Sequence, residues 1–179
     1  MELKLLEKAA FMAFDYHKNQ TRKFKDEPQV NHCLRVGSLL GDYTDDPDIV
    51  AAGITHDILE DTYAVVVDLE ETLNHRVANL VWELTDNKRL KSSMDYNLYT
   101  LDKFNSLSND AFTIKLVDRL DNLTDLVNLP QAPISFVKKY VYAIDYTIDN
   151  LQRELVPVHE NLLDTLTFIN NYIALTRLR

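Results

Sequence analysis

Residues Ala111–Val127 read AFTIKLVDRLDNLTDLV. Ile114, Val117, Leu120 and Leu123 recur at helical spacing, which predicts a strong helix with these four turned inward. Asp118 interrupts the apolar run. A buried carboxylate is costly without a partner, so this one needs a cation. Lys115 or Arg119 could supply it, although sequence neighbours do not face each other on a helix, which weakens the Arg119 version. A metal ion is the other kind of partner.

On either side of this segment the period stays helical. Leu3, Leu6, Ala10, Ala13 and Phe14 mark a first helix, and Val30–Leu40 a second. Asp46-Pro47 opens a third, because Asp caps free amides and Pro suits the first turn; it runs to about Leu59. Val65–Val67 is β-branched but has no partner strand, so it is read as a helix start. Leu69–Leu73 and Val77–Leu84 are short helices around Asn74, which tolerates a left-handed joint. Trp82 falls in an apolar stripe and is expected in the core. Thr85–Ser93 is polar and basic and reads as a loop. Tyr96–Leu107, Phe136–Leu155 and Val158–Leu178 complete the set. The expectation is all-α: one compact bundle of about eight helices, a single domain over residues 1–179. On the last helix Leu162, Leu163, Leu166, Ile169 and Ile173 form an apolar face that either packs internally or makes a homodimer.

Composition narrows the partners. Of 179 residues, 46% are hydrophobic and 26% charged, as in a globular protein. Lys plus Arg number 19 and Asp plus Glu 28, a net charge of −9, which disfavours a nucleic-acid polymer. Three glycines, Gly37, Gly41 and Gly53, exclude a dinucleotide fingerprint and a P-loop and are too few for an all-β fold. Cys33 is the only cysteine, so the chain makes no internal disulfide and no Cys-rich zinc site; it is expected to be a small buried hydrophobe. No stretch approaches the roughly 18 uninterrupted apolar residues of a membrane helix. The first residues are too charged for a signal peptide. A cytoplasmic protein without a membrane partner is expected.

The segment Ile54–Thr62, ITHDILEDT, carries the chemistry. His56 and Asp57 stand about 100° apart around a helix, and a helix end can aim both at one point. A nitrogen and an oxygen ligand suit a divalent transition metal. Glu60 and Asp61 follow each of them by one turn, where carboxylates can hold a water or move a proton. His32 lies on the preceding helix and Asp118 on the later one.

The order His32, His56-Asp57, Asp118 resembles the metal set of the HD-domain phosphohydrolases. HDILEDT, with Glu60-Asp61 directly after the pair, is similar to the hydrolase domain of the RelA/SpoT alarmone enzymes. Arg22-Lys23 ahead of Pro28 and His32, LEETLNHRVANLVWELT at Leu69–Thr85, and IKLVDRLDNLTDL at residues 114–126 match further motifs in the same order, over about residues 1–155. The length leaves no room for a synthetase domain, so the likeness is to the single-domain, hydrolase-only subgroup.

This resemblance implies a divalent metal, manganese in the family, held by His32, His56, Asp57 and Asp118; the ligand types alone also admit zinc. It implies Glu60 and Asp61 as the catalytic carboxylates, and Arg22, Lys23, Asn122, Lys138 and Tyr142 as substrate contacts. Arg22, Lys23 and Lys25 form a basic loop. Whether the second basic loop, Lys88, Arg89 and Lys91, touches substrate stays open. His17, His75 and His159 read as ordinary histidines. Several positions depart from the family: Cys33 replaces a Pro, Gln29 a Tyr, Leu73-Asn74 a Phe-Gly joint, Asp121 an aromatic or His, and a loop glycine near Asp26 is missing. The implied reaction is hydrolysis of guanosine 3′,5′-bis(diphosphate), (p)ppGpp, releasing pyrophosphate and leaving GDP or GTP. The alternatives are an HD-type hydrolase of another nucleotide, a deoxynucleotide or NADPH, and a non-catalytic nucleotide-sensing module. The intact Glu60-Asp61 pair counts against the last.

Overall fold

In the computed structural model, which describes residues 4–178, every regular element is a helix. In chain order these are α1 (Leu5–His17), α2 (Gln29–Leu40), α3 (Pro47–Thr55), α4 (Ile58–Asp61), α5 (Val66–Thr72), α6 (His75–Leu84), α7 (Lys88–Ser93), α8 (Tyr96–Ser106), α9 (Asn109–Val127), α10 (Ile134–Asn150) and α11 (Pro157–Arg177). Short polar side chains set several starts. Asp46 accepts from the Asp48 amide at 3.0 Å, and Asn74 accepts from the Val77 amide at 2.9 Å.

Helix α9 is the axis of the bundle. It packs on α2, α3, α6 and α11, and Phe112, Ile114, Leu116, Val117 and Leu123 are fully buried on it. The α2–α3 crossing is unusually close. A Cβ on Gly37 would stand 2.3 Å from Ile54 Cγ1, and one on Gly53 2.1 Å from Leu40 Cδ1. Any larger residue would have to displace the Ile54 or Leu40 side chain, so glycine eases that approach, which brings the start of α2 beside the end of α3.

Several expectations are corrected. Residues 85–93 are not all loop: Asn87 accepts from the Arg89 and Leu90 amides and starts α7. Asn74 is not left-handed; its φ of −171° is extended, as an N-cap requires. The non-glycine residue with positive φ is Phe24, at 60°, among the described residues. Trp82 is 63% exposed rather than in the core, because it points away from the α6 face that buries Val77, Val81 and Leu84. The third helix stops at Thr55, not Leu59, and α10 stops at Asn150, not Leu155. The apolar face of α11 packs internally, with Leu162, Leu166 and Ile173 buried, which removes the motive for a dimer there. Leu3 lies outside the described residues. Among the described residues no helix is long and apolar enough to cross a membrane.

Candidate active site

The end of α3 builds the site. The helix stops at Thr55, whose hydroxyl turns back to the Ala51 carbonyl at 2.8 Å. His56 caps α3 and Asp57 precedes α4, so the pair occupies the joint between two helices. Helix α2 contributes His32 and α9 contributes Asp118. The four meet. His32 Nε2 is 3.3 Å from Asp118 Oδ1 and 3.8 Å from Asp57 Oδ2. His56 Nε2 is 3.1 Å from Asp57 Oδ1 and 3.6 Å from Asp118 Oδ1.

Groups behind the ligands aim them. His56 Nδ1 faces the Gly53 carbonyl at 2.8 Å, and His32 Nδ1 faces Asp121 Oδ2 at 2.7 Å. Gln29 donates to Asp57 Oδ2 at 2.8 Å, and Lys115 Nζ stands 3.3 Å from Asp118 Oδ2. The ion pair and the cluster are thus both true of Asp118.

The charges show what the cluster lacks. Burial opposes protonation of His56, but the Asp57 charge and Asp118 outweigh it and push its pKa up to about 10. Burial likewise opposes a charged His32, and Asp118 and Asp121 raise it regardless. Burial would lift the Asp57 and Asp118 carboxyls; His56 holds the first, and Lys115 with the two histidines the second, below the usual carboxylate range. Two carboxylates drawing protons onto two imidazoles describe a receptacle for positive charge. His56 Nε2 is buried yet makes no hydrogen bond. Ligand atoms of His32, His56 and Asp118 lie within 4.8 Å of one another. An orphaned imidazole nitrogen and a mixed nitrogen–oxygen donor set fit a divalent cation.

Beside the cluster opens a cavity of about 590 Å³, lined among others by Arg22, Lys23, Glu60, Asp61 and Asn122. The Asp86 amide donates to Glu60 Oε2 at 3.2 Å, and among the described residues no hydrogen bond reaches Oε1. Burial, then the Asp86 charge, raises the Glu60 pKa; burial, then Asp57, raises that of Asp61. Gln20 fixes the Asp61 carbonyl at 2.6 Å. Arg22 is already engaged, donating to Asn122 Oδ1 at 2.7 Å and pairing with Asp125 at 3.2 Å. In the second basic loop, Lys91 lines the cavity paired with Asp86, Lys88 donates to the Glu60 carbonyl at 2.6 Å, and Arg89 is exposed.

Lys138 and Tyr142 are not brought to this cavity. Both are exposed, and Tyr142 lines a separate groove with Lys139 and Tyr146. The face of α10 that reaches the cavity carries Phe136 and Tyr140 instead, two residues earlier. A two-residue slip on a helix turns the side chains by about 200°, to the opposite face. Sequence reasoning also missed Asp121, Gln29 and Arg119. Helical spacing was the available signal: Gln29 precedes His32 by three, Asp121 follows Asp118 by three, and Arg119 follows Lys115 by four.

A helical bundle closed around a buried His–Asp cluster, with a carboxylate-lined cavity beside it, belongs to the class built on a His-Asp metal centre. The chain matches the HD domain family over residues 9–144. It is 35% identical over 130 residues to the Drosophila melanogaster guanosine-3′,5′-bis(diphosphate) 3′-pyrophosphohydrolase MESH1, covering 71% of this chain and 72% of that one. It is 30% identical over 145 residues to a probable enzyme of the same activity from Mycoplasma genitalium, covering 72% of this chain and 19% of the relative's length. The solved structure of a metazoan ortholog of SpoT, described as hydrolysing ppGpp, superposes with a TM-score of 0.81 at 27% identity over 98% of each chain. The chain therefore belongs to the HD-domain family, in its RelA/SpoT hydrolase branch.

Proposed function

We propose that this chain is a metal-dependent phosphohydrolase that cleaves guanosine 3′,5′-bis(diphosphate), releasing pyrophosphate from the ribose 3′ oxygen and leaving GDP or GTP. The observation that carries the reading is the convergence of His32, His56, Asp57 and Asp118 beside the Glu60-Asp61 pair. The relatives and the structural neighbour are named for this activity, which supports it.

His32, His56, Asp57 and Asp118 would hold the cation, with manganese as the ion proposed. When bound, it supplies Lewis acidity and positive charge beside the phosphate oxygens. Glu60 Oε1 orients the attacking water and takes its proton, a task suited to a carboxyl whose pKa burial has raised. Asp61, exposed on the same turn and lining the cavity, passes a proton to the departing ribose 3′ oxygen. The water oxygen bonds to the phosphorus as the bond from that phosphorus to the ribose 3′ oxygen breaks; Glu60 takes one water proton, Asp61 starts protonated and gives its proton to the ribose oxygen, and exchange with solvent resets the pair. Lys23 and Arg22 draw the anionic substrate into an acidic protein. Asn122 donates to the Asp118 carbonyl at 2.9 Å and holds the ligand helix against the Arg22 loop.

Residues 1–179 act as one domain in this reading, in the cytoplasm, on a small nucleotide rather than a nucleic-acid polymer. A second reading, another nucleotide as substrate, is favoured by one observation. The cavity wall of Phe24, Phe136, Tyr140, Leu126 and Leu129 is aromatic and apolar, and it can receive any base. Purified protein with manganese should convert the bis(diphosphate) to GDP and pyrophosphate. Full activity in a His56→Ala, Asp57→Ala double variant would overturn the site. A preference of about a hundredfold for a different nucleotide would overturn the substrate.

A further inference from the structure

His32 and His56 supply the two nitrogens of the cluster, but what stands behind them differs. His56 is backed by a neutral group, the Gly53 carbonyl. His32 is backed by the Asp121 carboxylate, 2.7 Å from Nδ1. A carboxylate can only accept, so the proton between them sits on Nδ1 and the Nε2 lone pair is left for a cation.

Asp121 is held in turn. Arg35 donates Nε to Oδ1 at 2.7 Å and Nη2 to Oδ2 at 3.0 Å, a two-point grip. Arg35 is braced by Glu27 at 2.5 Å and Asp125 at 3.3 Å. Asp121 is 4% exposed, so water does not loosen the contact. One face of α9 thus carries both a ligand, Asp118, and the support for another ligand, three residues later.

We infer that Asp121, gripped by Arg35, is the positioning residue for His32: it fixes that imidazole's tautomer and orientation and makes it the stronger nitrogen donor to the metal. The inference rests on the metal centre proposed above and not on the identity of the substrate. A carboxylate behind a ligating histidine is ordinarily worth about 10- to 100-fold in metal affinity. The competing role is plain helix pairing, in which Asp121 only ties α2 to α9.

Manganese alone, titrated in competition with a fluorescent chelator, separates the two. Asp121→Ala should weaken manganese by about 10- to 100-fold. Asp121→Asn keeps an acceptor oxygen without the charge and should fall between that and the wild type. Asp125→Asn removes the charge from the neighbouring ties to Arg22, Lys25 and Arg35 without touching His32 and should leave manganese affinity near the wild type. Affinity within about twofold of wild type in both Asp121 variants, or an equal loss in Asp125→Asn, overturns the inference. If the alanine variant does not fold, the asparagine variant decides. Because no nucleotide is present, a chain that hydrolyses no bis(diphosphate) still gives an answer.

Discussion

His32 Nε2 lies 3.3 Å from Asp118 Oδ1, and the two residues belong to different helices, α2 and α9, packed side by side. A buried imidazole and a buried carboxylate at this distance, with a second pair alongside, make an address for a cation. Without one, protons take its place.

Removing Asp118 should therefore abolish specific metal binding. In wild type, manganese at a hundredfold excess over Kd stabilises by about 2.7 kcal/mol. For a chain of this length that raises Tm by about 5–10 °C. In Asp118→Ala the rise should vanish. The metal-free variant should also melt lower, because Lys115 loses its partner in a buried setting. Differential scanning calorimetry with and without manganese reads both effects.

The stabilisation by metal should grow with pH. His56 has a folded pKa of about 10, against about 6.5 when unfolded. In metal-free protein its proton stabilises the fold fully below pH ~6.5, and that contribution is lost as pH rises through the folded value. The metal competes with this proton, so the Tm difference between loaded and metal-free protein should be small at about pH 6 and widen toward about pH 8.5. A difference that narrows over that interval would remove His56 from the ligand set.

Glu60→Gln preserves shape and removes the base. It should lower kcat by about 10²- to 10⁴-fold while manganese affinity stays near the wild type. Parallel losses of metal affinity and kcat would make Glu60 a ligand instead.

The bundle and the four converging residues were legible because both depend on helical spacing and on a few residue types that cannot be buried idly. Asp118 announced itself as a carboxylate in an apolar helix, and His56-Asp57 as a pair at a helix end. The substrate side was less legible. Lys138 and Tyr142 lie beyond Pro130 and Pro133, and although the period of Val137, Val141 and Ile144 sets the buried face of α10, it does not tell which flank of that face borders the cavity. Asp121 looked like a departure, since its partners Arg35 and His32 come from another helix and only the packed pair shows them together.

The rotation of α10 gives a test of its own. Lys138→Ala and Tyr142→Ala should leave KM within about twofold of wild type, whereas Tyr140→Ala should raise it by about tenfold, a loss of about 1.4 kcal/mol of binding. Steady-state kinetics on the three variants checks the register of α10. The reverse pattern would restore the expectation drawn from sequence.

The close α2–α3 crossing gives another. Gly37→Ala gains about 0.5–1 kcal/mol of helix propensity. It must also displace the Ile54 side chain or part the helices, since the new methyl would stand 2.3 Å from Ile54 Cγ1. Overpacking of that kind costs about 1–3 kcal/mol, so the net should be a loss of up to about 2.5 kcal/mol, centred near 1 kcal/mol. A denaturant melt that shows a more stable protein would contradict the packing described here.

The central claim is that two imidazoles and two carboxylates from α2, the α3–α4 joint and α9 share one ion. Equilibrium dialysis against manganese measures it directly. One ion per chain should be retained by the wild type and none by an Asp57→Ala, Asp118→Ala double variant that keeps its helical content. Full stoichiometric retention by that variant would contradict the account.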